Sequence, residues 1–371
     1  MSSDLERRLE AMFAEAPDPE PGAGEEALHR ALRAVHPITV SRRGLRTAVL
    51  AFATAVVLLV IAAGSLAAAG ALHVSLGSKP KRTHPAALLT LPQGANGVAA
   101  IVNGRLSVAT RGGGRLQVRA TAAALSPRVL YVAAGIGNSL VAMAPDGRRA
   151  WSHPTGGKVV AIAWAPDGFR IAYVVQAGHR FALHVIYGNG VHDTTIDSSV
   201  RPVRPSWRAD SLALAYVGGG GKAIVYDLAH VSRSVVARSA GMGAVTQLAF
   251  APSGGGLAIA GRSGIATKRV CRLPAFPKRS VGWIGWLGSS LLVAHGGRRT
   301  ALDSLSCGGG FGSSDFGGTI VAFDARGPRV AVAVARGTNV VLLVGDSLPL
   351  HNLRQVARLP RGAHVTDLLV G

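Results

Sequence analysis

One short pattern recurs at intervals of about 40 residues in this chain, and it constrains the fold more than any other feature. Each copy is an apolar strand that ends in an aromatic side chain, followed by a turn and a second apolar strand, as in residues 161–175, 205–217 and 248–260. A fixed period of this size, with strands rather than helices inside it, predicts an all-β protein. We expect a β-propeller in which each repeat forms one blade.

The number of blades follows from the inner strands and from the two ends of the repeat region. Aromatic residues mark the predicted inner-strand ends at Trp164, Trp207, Phe250, Trp286 and Phe323. Residues 362–370 resemble the inner-strand phrase at 243–250, whereas the three strands predicted within 98–120 lack one. We therefore expect the C-terminal strand to complete the first blade and close the ring, which removes exposed sheet edges. This count predicts seven blades; six is the alternative, if the Gly-rich stretch 308–318 hides a defect or the weak second unit merges with its neighbour.

The clearest repeat also carries a family resemblance. Residues 162–173 read Ile-Ala-Trp-Ala-Pro-Asp-Gly-Phe-Arg-Ile-Ala-Tyr, which resembles the repeat of TolB-type, WD40-like propellers. The match weakens at 208–211, 251–254 and 324–327, and the resemblance as a whole covers residues 98–371. It implies a propeller fold and a binding role, because that family includes partner-binding envelope proteins and propellers fused to hydrolases. It carries over no catalytic residues, and the N-terminal domain specific to TolB is missing.

A long uncharged segment precedes the repeats. Residues 47–72 are 26 residues without one charge, enough for a helix to cross a hydrocarbon core of about 30 Å. We interpret them as a single transmembrane helix, since the apolar region of a cleaved signal peptide, the alternative, would span about 7–15 residues near the start of the chain. Five arginines before the segment against three basic residues after it predict a cytoplasmic N-terminus and an external C-terminal part, in the cell membrane of a bacterium.

The predicted membrane helix divides the chain into four parts. Residues 1–46 form a cytoplasmic tail with two short amphipathic helices, 73–96 a juxtamembrane spacer and 97–371 the extracytoplasmic propeller. In one interpretation residues 3–36 dock on a cytoplasmic protein, and in the other the tail is poorly ordered. Small residues at four-residue spacing within the membrane helix would allow a homodimer.

Charge differs between the two sides of the predicted membrane helix. Of 40 basic and 19 acidic residues, 33 and 11 follow residue 72, and none of these acidic residues is a glutamate. Such a charge attracts polyanions, which outside the membrane are lipid headgroups and anionic envelope polymers rather than nucleic acid. Arg170, Arg208 and Arg326 follow the aromatic strands at turns and are the candidate rim binding residues. The alternative is that the arginines are spread over all faces.

No residue pattern predicts catalysis, a cofactor or a metal ion, and we do not expect an enzyme. Residues 345–348 spell the Gly-Asp-Ser-Leu signature of a family of Ser hydrolases, but too few residues follow them to supply its distant Asp and His. Pro-Asp-Gly at 145–147 and 166–168 is typical of tight turns. The densest group of potential metal ligands is His179, His184, His192, Asp193 and Asp197. Alternate residues of a strand face opposite ways, which argues against their convergence.

The only two cysteines, Cys271 and Cys307, both follow the predicted membrane helix and lie 36 residues apart, close to one repeat. Equivalent places in neighbouring blades predict a candidate disulfide in an oxidising compartment. Two unlinked buried thiols are the alternative.

These observations lead to two functional hypotheses. The first is a membrane-anchored extracytoplasmic propeller that acts as a non-catalytic protein-interaction scaffold in the cell envelope, bound to an envelope protein or an anionic envelope polymer. The second is a transmembrane signal transducer of the anti-sigma or sensor kind, in which the propeller senses and the tail holds a cytoplasmic effector.

Overall fold

The computed structural model describes residues 89–91, 96–113, 115–237, 242–270, 281–295, 301–306, 309–345, 353–360 and 362–371. All of them lie in the unit Thr83–Gly371. The predicted tail, the predicted membrane helix and both cysteines lie outside the described residues. Within the part of the chain that is described, no helix is long and apolar enough to cross a membrane.

Twenty-seven described strands form seven antiparallel sheets, which are the seven blades of a β-propeller. Blade 1 contains β1 (Gly97–Val102), β2 (Arg105–Thr110), β3 (Arg115–Arg119) and the C-terminal strand β27 (Val365–Val370). Blade 2 contains β4 (Ala123–Leu125), β5 (Val132–Ile136), β6 (Ser139–Met143) and β7 (Arg149–Pro154). Blade 3 contains β8 (Lys158–Trp164), β9 (Arg170–Ala177), β10 (Arg180–Tyr187) and β11 (Thr194–Asp197).

Blade 4 contains β12 (Ser206–Trp207), β13 (Ala213–Val217), β14 (Ala223–Asp227) and β15 (Ser232–Ala237). Blade 5 contains the described strands β16 (Val245–Phe250), β17 (Leu257–Gly261) and β18 (Gly264–Lys268). Blade 6 contains β19 (Val281–Leu287), β20 (Ser290–His295), β21 (Ala301–Leu305) and β22 (Phe311–Asp315). Blade 7 contains β23 (Thr319–Arg326), β24 (Arg329–Arg336), β25 (Asn339–Gly345) and β26 (Arg354–Leu359).

The hydrophobic core lies between the blades rather than at the centre of the ring. Second strands such as β9 and β24 each have five consecutive buried residues, because both faces of the sheet are covered by neighbouring blades. Strands buried on both faces have continuous apolar sequences instead of alternating ones. The described core residues accordingly form seven clusters, one at each interface between neighbouring blades. The strands therefore depend on their neighbours for burial.

The three predicted inner-strand tryptophans are buried, and two of them link blades by hydrogen bonds. Trp164 Nε1 instead donates to Gly168 O in the turn of its own blade, at 2.9 Å. Trp207 Nε1 donates to the carbonyl of Ala163 in blade 3, at 3.0 Å. Trp286 Nε1 makes the equivalent bond to Ala249 in blade 5, also at 3.0 Å. A buried indole N–H requires an acceptor, and for these two the preceding blade supplies it.

The Pro-Asp-Gly sequences form tight turns, as predicted. In the turn after β8, Asp167 Oδ1 accepts the N–H of Phe169 at 2.8 Å, and Gly168 has a φ of 82°. A positive φ of this size favours glycine because it has no Cβ. The sequence at the equivalent turn of blade 2 differs: Val129 has a φ of 56°, and β5 begins only at Val132. From the sequence we predict a strand over residues 129–134. Its predicted start at Val129 is wrong, because Ser126 holds a turn there by accepting the N–H of Tyr131.

The C-terminal strand closes the ring, as predicted from the residues around 362–370. β27 pairs with β1 in antiparallel register, with Val98 opposite Val370 and Ala100 opposite Leu368. Arg329 in blade 7 also donates to the carbonyl of Gly371. Residues 89–91, which we predicted as part of a spacer, contact the outer strand of blade 7, where Thr90 N donates to Val356 O at 2.8 Å.

Removing β27 should open the ring. Deletion of residues 364–371 exposes the edge of β1 and uncovers apolar side chains in two core clusters, so we expect loss of the cooperative thermal transition and aggregation. A synthetic peptide of residues 362–371 should restore the transition, measured by circular dichroism, whereas a peptide with Asp367→Lys should not. An unchanged melting curve after the deletion would contradict the role given to β27.

Candidate functional site

The inner strands of the seven blades surround a central channel with a volume of about 660 Å³. Polar side chains such as Thr121, Gln247 and Thr366 line it together with Trp283 and several alanines. The propeller has two faces, one at each end of its inner strands. We call the face with the turns between first and second and between third and fourth strands the turn face, and the other, with the links between blades, the link face.

Four charged side chains meet in the wall of the channel. Arg204 extends from the link between blades 3 and 4, and its Nη2 contacts Asp367 Oδ1 of β27 at 2.5 Å. Asp324 Oδ2 of β23 accepts the N–H of Val370 at 3.0 Å. Arg326 Nη1 donates to the carbonyl of Leu125 at the end of β4, at 2.9 Å. The cluster of Arg204, Asp324, Arg326 and Asp367 thus connects blades 1, 2, 4 and 7.

Burial governs the protonation of this cluster. Burial raises the pKa of Asp324 and that of Asp367 above the usual range of a carboxyl, although the Arg204 guanidinium acts in the opposite direction. Burial also lowers the pKa of Arg326, with Asp324 opposing that change. Two cations and two carboxylates balance in number, and their hydrogen bonds are made largely to the inner strands. The cluster is therefore suited to holding the seam of the ring closed.

The three candidate rim arginines lie on the turn face, and each already has a partner. Arg170 Nη1 is 3.6 Å from Asp167 Oδ2 and donates to Ser211 O. Arg208 Nε is 2.8 Å from Asp210 Oδ2. Arg326 belongs to the channel cluster. The existing contacts of all three arginines would compete with an anionic ligand. Their role in binding a polyanion stays a prediction.

Large apolar side chains are exposed on one face. Of the nine such residues in the described part of the chain, all but Val235 lie in or beside turns of the turn face. Phe311 is on blade 6. The other seven, which we call the apolar turn surface, are on blades 2 to 4: Leu130, Tyr131, Phe169, Tyr187, Val191, Leu212 and Val231. Phe169 is 74% exposed, which is unusual for a phenylalanine.

Hydrogen bonds between turns join the parts of the apolar turn surface that lie on blades 3 and 4. Phe169 O accepts from Gly188 N, next to Tyr187, at 2.8 Å. The turn of Leu212 contacts that of Phe169 through Ser211 Oγ, which accepts the N–H of Asp167 at 2.9 Å. Leu212 O in turn accepts from Leu228 N, in the turn that carries Val231. The turns of blades 3 and 4 in this surface are thus fixed to one another.

The predicted group of potential ligands converges only in part. Asp193 accepts from Tyr173 Oη at 2.7 Å and lies 3.2 Å from His184 Nδ1 and 3.4 Å from His153 Nε2 of blade 2. Asp197 instead accepts from Tyr216 Oη, at 2.9 Å. Among the described residues, no group of three His, Cys, Asp or Glu side chains could hold a metal ion. This cluster joins blades 2 and 3 near their outer edges.

Sequence reasoning did not find the channel cluster. Arg204 and Asp367 are separated by 163 residues, and neither lies in a motif that predicts a charged pair. Only the position of Asp367 in the inner-strand phrase placed it at the channel.

Asp324→Asn should stabilise the protein at neutral pH. The raised native pKa of Asp324 means that its ionised form is disfavoured by folding, so stability is lost as pH rises above the ordinary value of about 3.9. The asparagine oxygen can still accept from Val370 N. We expect a higher melting temperature than wild type at pH 7 and a difference that disappears near pH 3. Asp146→Asn, in an exposed turn, is the control; lower stability of Asp324→Asn at pH 7 would contradict the assignment.

Asp193→Ala should destabilise the protein by about 1–3 kcal/mol at pH 7, because the hydroxyl of buried Tyr173 loses its acceptor. Burial acts to raise the pKa of Asp193, but hydrogen bonds from His184 and Tyr173 outweigh it and hold that pKa below the usual range. A native pKa below the unfolded value stabilises the protein above about pH 3.9, and this stabilisation is lost as the pH falls. The destabilisation caused by Asp193→Ala should therefore shrink in acid. Urea unfolding measures the change in the free energy of unfolding. In a Tyr173→Phe background the cost should be smaller, and equal costs in the two backgrounds would refute the contact.

Comparisons with known proteins give one sequence match and several structural ones. No protein-family model matches the chain. A segment of 113 residues, 29% of this chain, is 33% identical to the Tol-Pal system protein TolB of Aromatoleum aromaticum and spans only 26% of that protein. The chain thus matches about a quarter of its curated relative.

The backbone of this chain is similar to those of three solved structures. TolB from Acinetobacter baumannii is 13% identical with a TM-score of 0.45, covering 74% of this chain and 66% of that one. A putative TolB from Agrobacterium tumefaciens is 13% identical with a TM-score of 0.43, covering 73% and 90%. A chain of the mitotic checkpoint complex is 16% identical with a TM-score of 0.52, covering 67% and 83%, and it supports the fold alone. The seven blades confirm that the repeats of this chain form a β-propeller, and a segment of it is similar in sequence to TolB.

Proposed function

We propose that this protein is a non-catalytic scaffold, anchored in the cell membrane by residues 47–72, whose external propeller binds another protein of the cell envelope. The observation that carries the proposal is the apolar turn surface, whose seven exposed large apolar side chains lie on the neighbouring blades 2 to 4. Contiguous exposed apolar surface on a folded protein is typical of a binding site for another protein.

The arginines of the channel already have partners within the protein, and this supports a binding site outside the channel. Arg204 is occupied by Asp367 and Ala123, and Arg326 by Leu125. These contacts stabilise the seam between blades, so a ligand that displaced them would weaken the ring. The faces of the propeller are therefore the better place for a partner, and turns on a rigid scaffold are where binding residues commonly lie.

The sequence relative supports a role in the envelope, since it is named as a protein of the Tol-Pal system. The uncharged segment at 47–72 supports the anchor. With the tail inside and the propeller outside, the anchor would hold a partner that binds the turn face at the outer side of the membrane.

Site-specific photocrosslinking in intact cells tests the function. Benzoylphenylalanine is placed at Phe169 on the turn face, at Arg180 on the link face or at Leu9 in the tail. We expect covalent adducts with an envelope protein from position 169. Adducts from position 9 to a transcription or signalling protein would favour the transducer, and the lack of protein adducts from both positions 169 and 180 would refute the scaffold.

A further inference from the structure

The apolar turn surface, defined above by its seven side chains on blades 2 to 4, is bordered on one side by cations. Arg128, Arg148 and Arg149 of blade 2 are exposed, and none of them forms an ion pair with a described residue. Arg149 lies two residues before Trp151, whose Nε1 donates to Gly188 O in the turn beside Tyr187. Guanidinium groups that form no ion pair within the described part of the chain therefore border the blade 2 side of the surface.

The centre of the surface carries a different charge pattern. Arg170 is paired with Asp167, and Arg208 with Asp210, within the turns of Phe169 and Leu212. A partner that covers blades 3 and 4 thus meets apolar side chains and ion pairs that are already satisfied. A polyanion would have to break those pairs, which makes it a poor occupant.

From this arrangement we propose that the apolar turn surface binds a protein segment with large apolar side chains at one end and carboxylates at the other. The apolar side chains cover Phe169, Tyr187 and Leu212, and the carboxylates pair with Arg128, Arg148 and Arg149. This rests on the proposed function and specifies its partner. Arginines at the border and aromatics at the centre are the residues that dominate protein interfaces.

Two further observations favour a partner at this place. The turns of blades 3 and 4 are fixed to one another by hydrogen bonds, so they lose little conformational entropy when a partner binds. Residues 89–91 lie on blade 7, which is three blades from blade 3 by one route and four by the other. Residues 89–91 therefore contact the ring on the side away from the surface.

Selection of peptides tests the proposal with a defined probe. A phage-displayed library of random peptides of about 12 residues is selected against the full-length protein in lipid nanodiscs. We expect the selected peptides to combine Leu, Phe or Trp with Asp or Glu. Their affinity should fall about tenfold or more for Phe169→Ser/Leu212→Ser. It should also fall, and lose its salt dependence, for Arg148→Glu/Arg149→Glu.

Phe311→Ser is the matched control, since Phe311 is equally an exposed aromatic of the turn face but lies on blade 6, and it should leave peptide binding unchanged. Thermal melting of each variant establishes that it is folded; Phe169→Ser and Leu212→Ser remove exposed side chains and should melt as wild type does.

Three results would overturn the proposal. Peptides that bind Phe169→Ser/Leu212→Ser as tightly as wild type would place binding elsewhere. Peptides selected only for acidic residues, displaced by polyphosphate, would make the surface a polyanion site. Self-association of the wild type that Phe169→Ser abolishes, seen by analytical ultracentrifugation, would identify a second copy as the occupant. If envelope adducts still form from position 180, the scaffold function stands even where this surface fails.

Discussion

Backbone pairing between β1 and β27 is the interaction on which the rest of this structure depends. It joins residues 98–102 to residues 365–370 and leaves blade 1 with four strands, so that blades 7 and 2 both have a neighbour to cover their apolar faces. The two core clusters that flank blade 1 include side chains from both ends of the propeller. The channel cluster is built on the same seam, because Asp367 belongs to β27 and Asp324 holds the N–H of Val370.

Much of this fold is predictable because a propeller repeats one local solution. The aromatic strand ends at Trp164, Trp207 and Trp286 identify inner strands, and the likeness of residues 362–370 to an inner strand was enough to predict ring closure. The places where prediction failed are local. Nothing in the apolar sequence around Val129 indicates a left-handed residue, because that conformation results from the hydroxyl of Ser126 holding the turn.

The composition of the turn face was predictable in part. Turn positions placed Arg170 and Arg208 on one face, but not their pairing with Asp167 and Asp210, which depends on rotamers within each turn. The exposed apolar side chains were overlooked because Phe169 and Leu212 stand beside strands and read as core residues in the sequence. Sequence patterns report which residues repeat, whereas a binding surface is made from those that do not.

Ring closure by β27 also sets an order of events during synthesis. Every other described strand is made before residues 365–370, so the ribosome produces six blades and three quarters of another before the chain can form a circle. Until then one edge of β1 is unpaired, and blades 1 and 7 each have an apolar face that no neighbouring blade covers. A chain of this kind therefore reaches its closed form only once residues 365–370 have been made, and until then it is an open arc of blades, which is easier to unwind than a ring.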